Sequence, residues 1–318
     1  MRHKILIPLY KKKEETEKHH NVSELQSRKT VVYMALPETT FSGGLSDRLR
    51  GIVAIYAECK RKGLPFRLVF EPLHLQDYIS PNKYDWRISN SELIWDTEKC
   101  YPCVLLTYHA NTRNCYQYFV QKMILRFFLR KRYLQIHIFS NMICRDDEYS
   151  DLYHELFKPV PELKEQIDYH LSRIGGMRSY ISCTFRFRQL LGDFKEGGET
   201  LSDNDKETYI KRCINTVKKL HAQNPEVNVL VTADSSTFLQ RLSACLLPYV
   251  YIIPGKVVHL GFTFDASKQT YMKSFVDMYM ISYARAVYLV RDKKMYHSGF
   301  PYRAALLGKT EYKEIWLK

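Results

Sequence analysis

Long apolar runs are missing from this 318-residue chain: no stretch approaches the roughly 20 residues that a helix needs to cross a bilayer. Ile5-Leu-Ile-Pro-Leu9 is short and runs directly into Lys11-Lys-Lys-Glu-Glu15, so no secretory signal is expected. Thirteen glycines and twelve prolines are too few for a fibrous or low-complexity chain, and no internal repeat is visible. The eight cysteines, at positions 59, 100, 103, 115, 144, 183, 213 and 245, follow no regular spacing. They read as reduced thiols of a cytoplasmic protein, not as a disulfide framework. Cys100-Tyr-Pro-Cys103 has metal or redox spacing, but no second Cys/His pair follows at zinc-site distance. His19-His20 reads as a solvated dipeptide. No metal or cofactor is therefore expected.

Negative charge is also short. With 34 acidic against 48 basic residues the chain carries a formal charge of +14, which calls for an anionic partner: nucleic acid, a membrane leaflet or a phosphorylated substrate. Zinc-finger spacing, an RNA-recognition signature and a basic region leading into heptads are all absent, so nucleic acid is not expected as the partner. Within 121–132, Lys122, Arg126 and Arg130 fall on one helical stripe and Met123, Ile124, Phe127 and Phe128 on another. Two readings fit this pattern: a helix in peripheral contact with an anionic membrane at its cytoplasmic face, or a helix packed on the core with its basic face in water.

What the chain does have is core-forming material. Apolar residues make up 45% and aromatics 14%, enough for two domains of roughly 150 residues each. Hydrophobic periodicity places a strand at 29–36, a helix from Ser46 or Asp47 to Gly63 and a strand at 66–70, which together make a βαβ unit. Residues 71–150 give no clear alternation. Pro159 and Pro161 precede a helix over 162–174 that Gly175-Gly176 ends. Strands at 179–187, 227–232, 249–253 and 286–290 then alternate with helices at 204–221, 236–247, 270–285 and 300–307. The expected organisation is a basic N-terminal arm at 1–28, mobile or lying on the surface, a Rossmann-like lobe at 29–175 and a second at 176–318.

In such sheets, ligands bind beyond the carboxyl ends of the strands. The run 180–194 sends Arg186 and Arg188 off one strand end, with Gly192 permitting a tight turn before Asp193. Asp234 and Ser235 leave the next strand, and Ser298, Gly299 and Phe300 precede the last helix, where backbone N–H groups favour an anion. Arginine's planar fork matches phosphate oxygens, so these three places together suit a nucleoside diphosphate.

Four short elements carry a family resemblance. Gly43-Gly-Leu-Ser-Asp-Arg-Leu-Arg-Gly51 resembles the Gly-x-x-Asn-Arg element of the fucosyltransferase superfamily of α1,2-, α1,6- and protein O-fucosyltransferases. Thr184-Phe-Arg186 resembles its His-x-Arg element, Val231-Thr-Ala-Asp-Ser235 its Thr-Asp element and Ser298-Gly-Phe300 its Ser-x-Phe element. The resemblance implies an α/β GT-B fold, two Rossmann-like lobes with a cleft between them. It also implies inverting, metal-independent transfer of fucose from GDP-fucose; the acceptor expected here is a hydroxyl of a glycan or lipid-linked oligosaccharide, in surface polysaccharide or glycolipid synthesis. By the same analogy Arg186 would hold the leaving β-phosphate. Ser298, Gly299 and Phe300 would cradle the diphosphate, with Arg188 and Ser235 beside them. Asp234 would help select the nucleotide, and Gly43, Gly44, Asp47 and Arg48 would line the cleft from the first lobe. Thr184 stands where many relatives carry histidine, and Ser46-Asp47 replaces Gly-Asn. Another nucleotide sugar as donor, or a non-catalytic nucleotide- or glycan-binding protein, is therefore the alternative.

The residues permit this chemistry by themselves, because a fixed guanidinium can stabilise charge on a departing diphosphate as a divalent metal does elsewhere. Asp193 is the best-placed general base by sequence, with Glu196 next, although Asp193 can equally tie down the Gly192 turn or pair with Arg188. Asp203-Asn-Asp205 has metal-transferase spacing but opens a helix, and is read as capping. Asp277, among apolar neighbours on a helix, either fixes a nucleotide-binding loop or caps a buried network.

Overall fold

The computed structural model describes residues 3–16, 28–39, 43–107, 115–193, 199–256 and 267–317. Glu196 and His19-His20 lie outside them. The chain divides into two compact units, Met1–Lys158 and Pro159–Lys318.

The first unit runs α1 (His3–Thr16), β1 (Thr30–Ala35), α2 (Leu45–Lys62), β2 (Phe66–Phe70), β3 (Ile79–Pro81), β4 (Cys100–Leu105), α3 (Cys115–Leu129), β5 (Gln135–Ser140), α4 (Asp146–Leu156) and β6 (Phe157–Pro159). Its main sheet has the order β2-β1-β5-β4 with every pair parallel. All six residues of β1 and all six of β5 are buried, as parallel strands covered on both faces must be. The chain leaves β1 towards β2 on one side, while β5 and β4 lie on the other. The order therefore reverses between β1 and β5.

Of the N-terminal arm expected at 1–28, residues 3–16 are described and are a packed helix. Residues 3–16 form α1, whose Leu6 and Tyr10, four apart and so on one face, are fully buried. The Tyr10 hydroxyl bonds His137 Nδ1 on β5 at 2.8 Å. Lys11 and Lys12 are exposed, while Lys13 is half-buried with its Nζ 5.5 Å from the Trp95 ring centre.

The second unit runs α5 (Pro161–Ile174), β7 (Tyr180–Phe185), α6 (Asp203–Ala222), β8 (Asn228–Ala233), α7 (Ser236–Ser243), β9 (Val250–Tyr251), α8 (Lys268–Ser282), β10 (Ala286–Arg291), α9 (Phe300–Gly308) and β11 (Glu311–Trp316). Its sheet has the order β11-β10-β7-β8-β9, again entirely parallel. The reversal falls between β7 and β10. The domain boundary expected after residue 175 moves to 158/159, because α5 belongs to the second unit. Its Leu163, Ile167, His170 and Ile174 are buried, His170 Nδ1 bonds the Tyr251 hydroxyl at 2.7 Å, and Asn228 Nδ2 donates to the Ile174 carbonyl at 3.0 Å.

Helix ends follow local chemistry. Ser202 caps α6 by accepting from the Asp205 N–H, with Asp203 and Asp205 in the first turn, in agreement with the capping reading of Asp203-Asn-Asp205. Gly63 ends α2 in the left-handed conformation. Asp277 is buried in α8 and both its oxygens lie 2.5 Å from Lys273 Nζ one turn earlier, so its place is in a buried ion pair.

Candidate nucleotide site

Two phenylalanines aim the arginines. Phe185, the last residue of β7, and Phe187 both bury against Phe238 of α7, at 4.7 and 5.1 Å between ring centroids. With alternate side chains turned inward, Arg186 is directed to the opposite side of the segment. Arg188 follows with φ 55°, a left-handed conformation that a side chain adopts at a cost of about 1 kcal/mol or more.

Asp234 holds this kink. Buried at the end of β8, its carboxylate accepts the Phe187 N–H on Oδ1 at 2.7 Å, and on Oδ2 the Arg188 N–H and Arg186 Nη1, both at 2.7 Å. Burial pushes its carboxyl above the ordinary value, opposed by the Arg186 guanidinium and the two backbone donors. Three donors on one carboxylate are the compensation a buried charge requires. Thr184, at the position where histidine is common in the resembling family, is buried with its hydroxyl 2.8 Å from that of Thr232.

The loop after β10 closes on the same segment. Asp292 Oδ1 accepts the N–H groups of Lys294 and Met295 at 2.8 and 2.9 Å, turning the chain. The Tyr296 N–H then donates to the Arg186 carbonyl at 3.1 Å, and the Arg188 guanidinium lies 5.0 Å from the Tyr296 ring centre. His297 bonds Glu314 on β11 at 2.7 Å, and Arg291 reaches the same carboxylate at 2.9 Å. Ser298 is buried and accepts the Phe300 N–H at 3.3 Å, while Gly299 caps α9. The loops after β7, β8 and β10 are thus interlocked at the strand-order reversal, with Arg186 and the start of α9 on it.

Asp193 sits elsewhere in this network. Its Oδ1 accepts the hydroxyls of Ser236 and Thr237 at 3.0 and 2.8 Å, and its Oδ2 accepts that of Ser235. Ser235 in turn caps α7 through the Phe238 N–H. The carboxylate is bound to the first turn of α7, where the helix dipole also favours it.

Gly43 to Gly51 occupies the corresponding place in the first unit. Gly43 has φ 79°, and a Cβ there would stand 2.8 Å from Asp47 Oδ2, so the position favours glycine. Gly44 caps α2. Arg48 is fully buried, with Nε donating to the Gly43 carbonyl at 2.9 Å, Nη2 3.5 Å from the Thr39 carbonyl and the guanidinium 5.8 Å from the Phe70 ring. Arg50, equally buried, donates to the Asn141 and Met142 carbonyls at the end of β5 and lies 3.3 Å from Asp47. A Cβ on Gly51 would meet the Ser140 carbonyl at 2.4 Å, which lets α2 press directly on β5.

The predicted site residues therefore form two groups. Arg186, Arg188, Asp234, Ser235, Ser298, Gly299 and Phe300 come together in the second unit, and Gly43, Gly44, Asp47 and Arg48 in the first. Sequence reasoning missed Tyr296, whose only signal is its place two residues before Ser298, and Arg50, signalled by its i,i+3 spacing from Asp47. Cys100 and Cys103 are buried thiols on β4 whose pKa burial pushes up. Among the described residues no group of three His, Cys, Asp or Glu side chains is arranged to hold a metal.

No protein-family model matches the chain, and no curated protein matches it in sequence. Solved structures do. Fucosyltransferase NodZ from Bradyrhizobium superposes with a TM-score of 0.55 at 16% identity, over 88% of this chain and 93% of that one. FUT1 of Arabidopsis thaliana, as a variant in complex with GDP, gives 0.55 at 11% identity over 97% and 75%. This chain has the fucosyltransferase fold. POFUT1 in complex with GDP extends the likeness, with a TM-score of 0.51 at 12% identity over 91% of this chain and 98% of that one. The α/β architecture read from the four short elements is the one observed.

Proposed function

We propose that this protein is a glycosyltransferase that moves fucose from GDP-fucose to a hydroxyl of a glycan acceptor. The carrying observation is the convergence of three loops on Arg186 at the second sheet's strand-order reversal, beside the start of α9. Relatives in fold have been solved with GDP, as FUT1 and POFUT1, and with GDP-fucose, as NodZ.

In the proposed reaction the acceptor oxygen attacks the anomeric carbon from the face opposite the diphosphate. The bond between that carbon and the β-phosphate oxygen breaks, its electron pair stays on GDP, and the acceptor proton passes to a base. Arg186 supplies a fixed cation to the leaving phosphate, and the start of α9 supplies its dipole. A guanidinium does this without a metal, so the transfer is proposed to be metal-independent and inverting. Asp234 presents Arg186 and shapes the 186–188 kink. Arg188 binds at its margin, Ser235 holds α7 through its cap and Asp193, and Gly43, Gly44, Asp47 and Arg48 shape the first unit's contribution. Asp193 is assigned to holding α7. The cytoplasm is the proposed compartment, since all seven cysteines whose side chains are described are free thiols. Acceptors in surface polysaccharide or glycolipid synthesis are the proposed class.

A second reading, transfer from another nucleotide sugar, is favoured by the buried Thr184–Thr232 pair at the histidine position. Thermal unfolding with GDP, GDP-fucose, GDP-mannose and UDP-sugars separates the two readings. A ligand at a hundred times its dissociation constant stabilises by about 2.7 kcal/mol, a shift of several degrees. Stabilisation by GDP and GDP-fucose is expected. Response to UDP-sugars alone would reassign the donor, and response to none would remove the nucleotide site.

A further inference from the structure

Helix α3 lies the opposite way from an ordinary surface helix. Its inner face is Gln121, Leu125 and Leu129, and Gln121 is pinned by bonds to the Thr107 hydroxyl at 2.7 Å and from the Ile143 N–H at 3.2 Å. Its outer face is apolar: Tyr116, Phe119, Met123 and Phe127, spaced three and four apart, are 75%, 60%, 54% and 56% exposed, with Ile124 beside them. Soluble surfaces seldom leave such a contiguous aromatic stripe in water.

The cause is Glu58 on α2. This carboxylate is buried, and Lys122 and Arg126 reach it from α3, each at 3.2 Å, alongside Arg61 at 2.5 Å. Burial alone would raise its pKa, but these cations hold it below the ordinary value. The basic stripe is thereby drawn inward and the aromatic stripe is turned out. The α3 carbonyl end is occupied by Lys29, whose Nζ donates to the Leu129 and Lys131 carbonyls at 2.5 and 2.7 Å. Arg130 and Arg132 are exposed just beyond it, and Lys131 Nζ rests 4.5 Å from the Phe127 ring centre. No acidic residue occurs between 115 and 134.

We propose that the outer face of α3 is a docking surface for an anionic lipid bilayer. The aromatic stripe enters the boundary between headgroups and acyl chains while Arg130, Lys131 and Arg132 meet lipid phosphates, their aliphatic stems lying along the apolar face. Charge complementarity selects this occupant: a chain of formal charge +14 presents an apolar face on a segment that carries three consecutive cations at 130–132 and no acidic residue. Among the described residues no helix is long and apolar enough to cross a membrane, so the contact is peripheral. The inference does not depend on the nucleotide-sugar reading, and its test uses no nucleotide.

The test is co-flotation of the full chain with phosphatidylcholine vesicles containing about one-third phosphatidylglycerol, against vesicles of phosphatidylcholine alone. Binding to the anionic vesicles is expected, reduced at least about tenfold by Phe119→Ser with Phe127→Ser and weakened by Arg130→Glu with Arg132→Glu, at unchanged melting temperature. In Phe119→Trp, tryptophan emission should shift to the blue on those vesicles, which keeps the test valid even if the serine variant folds poorly. Absence of flotation, equal binding to neutral vesicles, undiminished binding of the serine variant, or an unshifted emission spectrum of the Phe119→Trp variant would overturn the proposal. So would a concentration-dependent dimer, lost in the serine variant, with no vesicle binding.

Discussion

The two units answer the same topological situation with opposite uses of arginine. At the first sheet's reversal point Arg48 and Arg50 stand on a helix, four and six residues after its cap, and turn back onto the backbone carbonyls of Gly43, Asn141 and Met142. At the second, Arg186 and Arg188 follow a strand end directly and are held by one carboxylate and one tyrosine. The first arrangement spends the donors of Arg50 and the Nε of Arg48 on closing the fold, while Arg48 Nη1 is buried without a hydrogen-bond partner. In the second the backbone is closed by Asp234, which also pairs with the guanidinium of Arg186 at the carboxyl end of the sheet. Arginines near a strand end are thus not equivalent: those on a helix are held by backbone carbonyls, whereas the one directly after a strand is held by a side-chain carboxylate and is the one proposed to bind.

Paired substitutions would break this contrast most decisively. Arg186→Ala should lower transfer of labelled fucose about a thousandfold. Because it also leaves Asp234 with two donors in place of three, its melting temperature should fall, and adding Asp234→Asn should deepen that fall, since an amide accepts only one of the Phe187 and Arg188 N–H groups. Arg48→Ala should instead cost about 3 kcal/mol of stability in denaturant unfolding, by leaving the Gly43 carbonyl without its donor. Near-normal transfer by Arg186→Ala, or an unchanged unfolding midpoint in Arg48→Ala, would erase the distinction between the two sites.

Legibility in the sequence divides along the same line. From Pro159 onward the alternation of strands and helices can be read directly, because β7, β8 and β10 are short apolar runs between amphipathic helices. β11 escapes notice since Glu311, Lys313 and Glu314 make it look like a surface turn; charged residues are what an edge strand carries. Between residues 71 and 150 the signal fails for a different reason: β5 contains Gln135, His137 and Ser140, polar groups whose burial is compensated partly within the strand, between His137 and Gln135, and partly by distant partners such as Tyr10 and Leu105. The face that α3 presents is illegible for the same cause, as it depends on Glu58, some 60 residues earlier. Arg186, Asp234 and Ser298 are readable as strand-end and helix-start residues. The kink at Arg188 is not, since φ is set by Asp234 accepting two successive N–H groups.

His137 sharpens the contrast on the pH axis. The Tyr10 hydroxyl bonds Nδ1 while Gln135 Oε1 accepts from Nε2, a neutral-imidazole arrangement, and burial lowers the pKa from 6.5 to about 3. The unfolded chain therefore binds this proton first. Its contribution is complete above about pH 6.5 and is lost as pH falls towards 3, with a cost of about 2 kcal/mol between pH 6.5 and about 5. Denaturant unfolding of the protein across that range, set against His137→Gln, should show a flatter acid limb in the variant. Parallel pH profiles for the two would mean that the first unit's interior titrates through other groups.

The smallest effect is expected at Asp193, and its smallness is informative. A general base must be free to take the acceptor proton, whereas this carboxylate accepts three hydroxyls from the first turn of α7. Asp193→Asn keeps the shape and one acceptor oxygen, so the loss is about 1 kcal/mol of stability, with turnover within about threefold of normal. Were Asp193 the base, the same change would lower turnover by about a hundredfold to ten-thousandfold and remove the acidic limb of the pH–rate profile. Measuring kcat and KM separately over pH distinguishes these outcomes. A loss confined to KM would mark a loosened α7, consistent with Asp193 acting on the site only through Ser235 and the loop that carries Asp234.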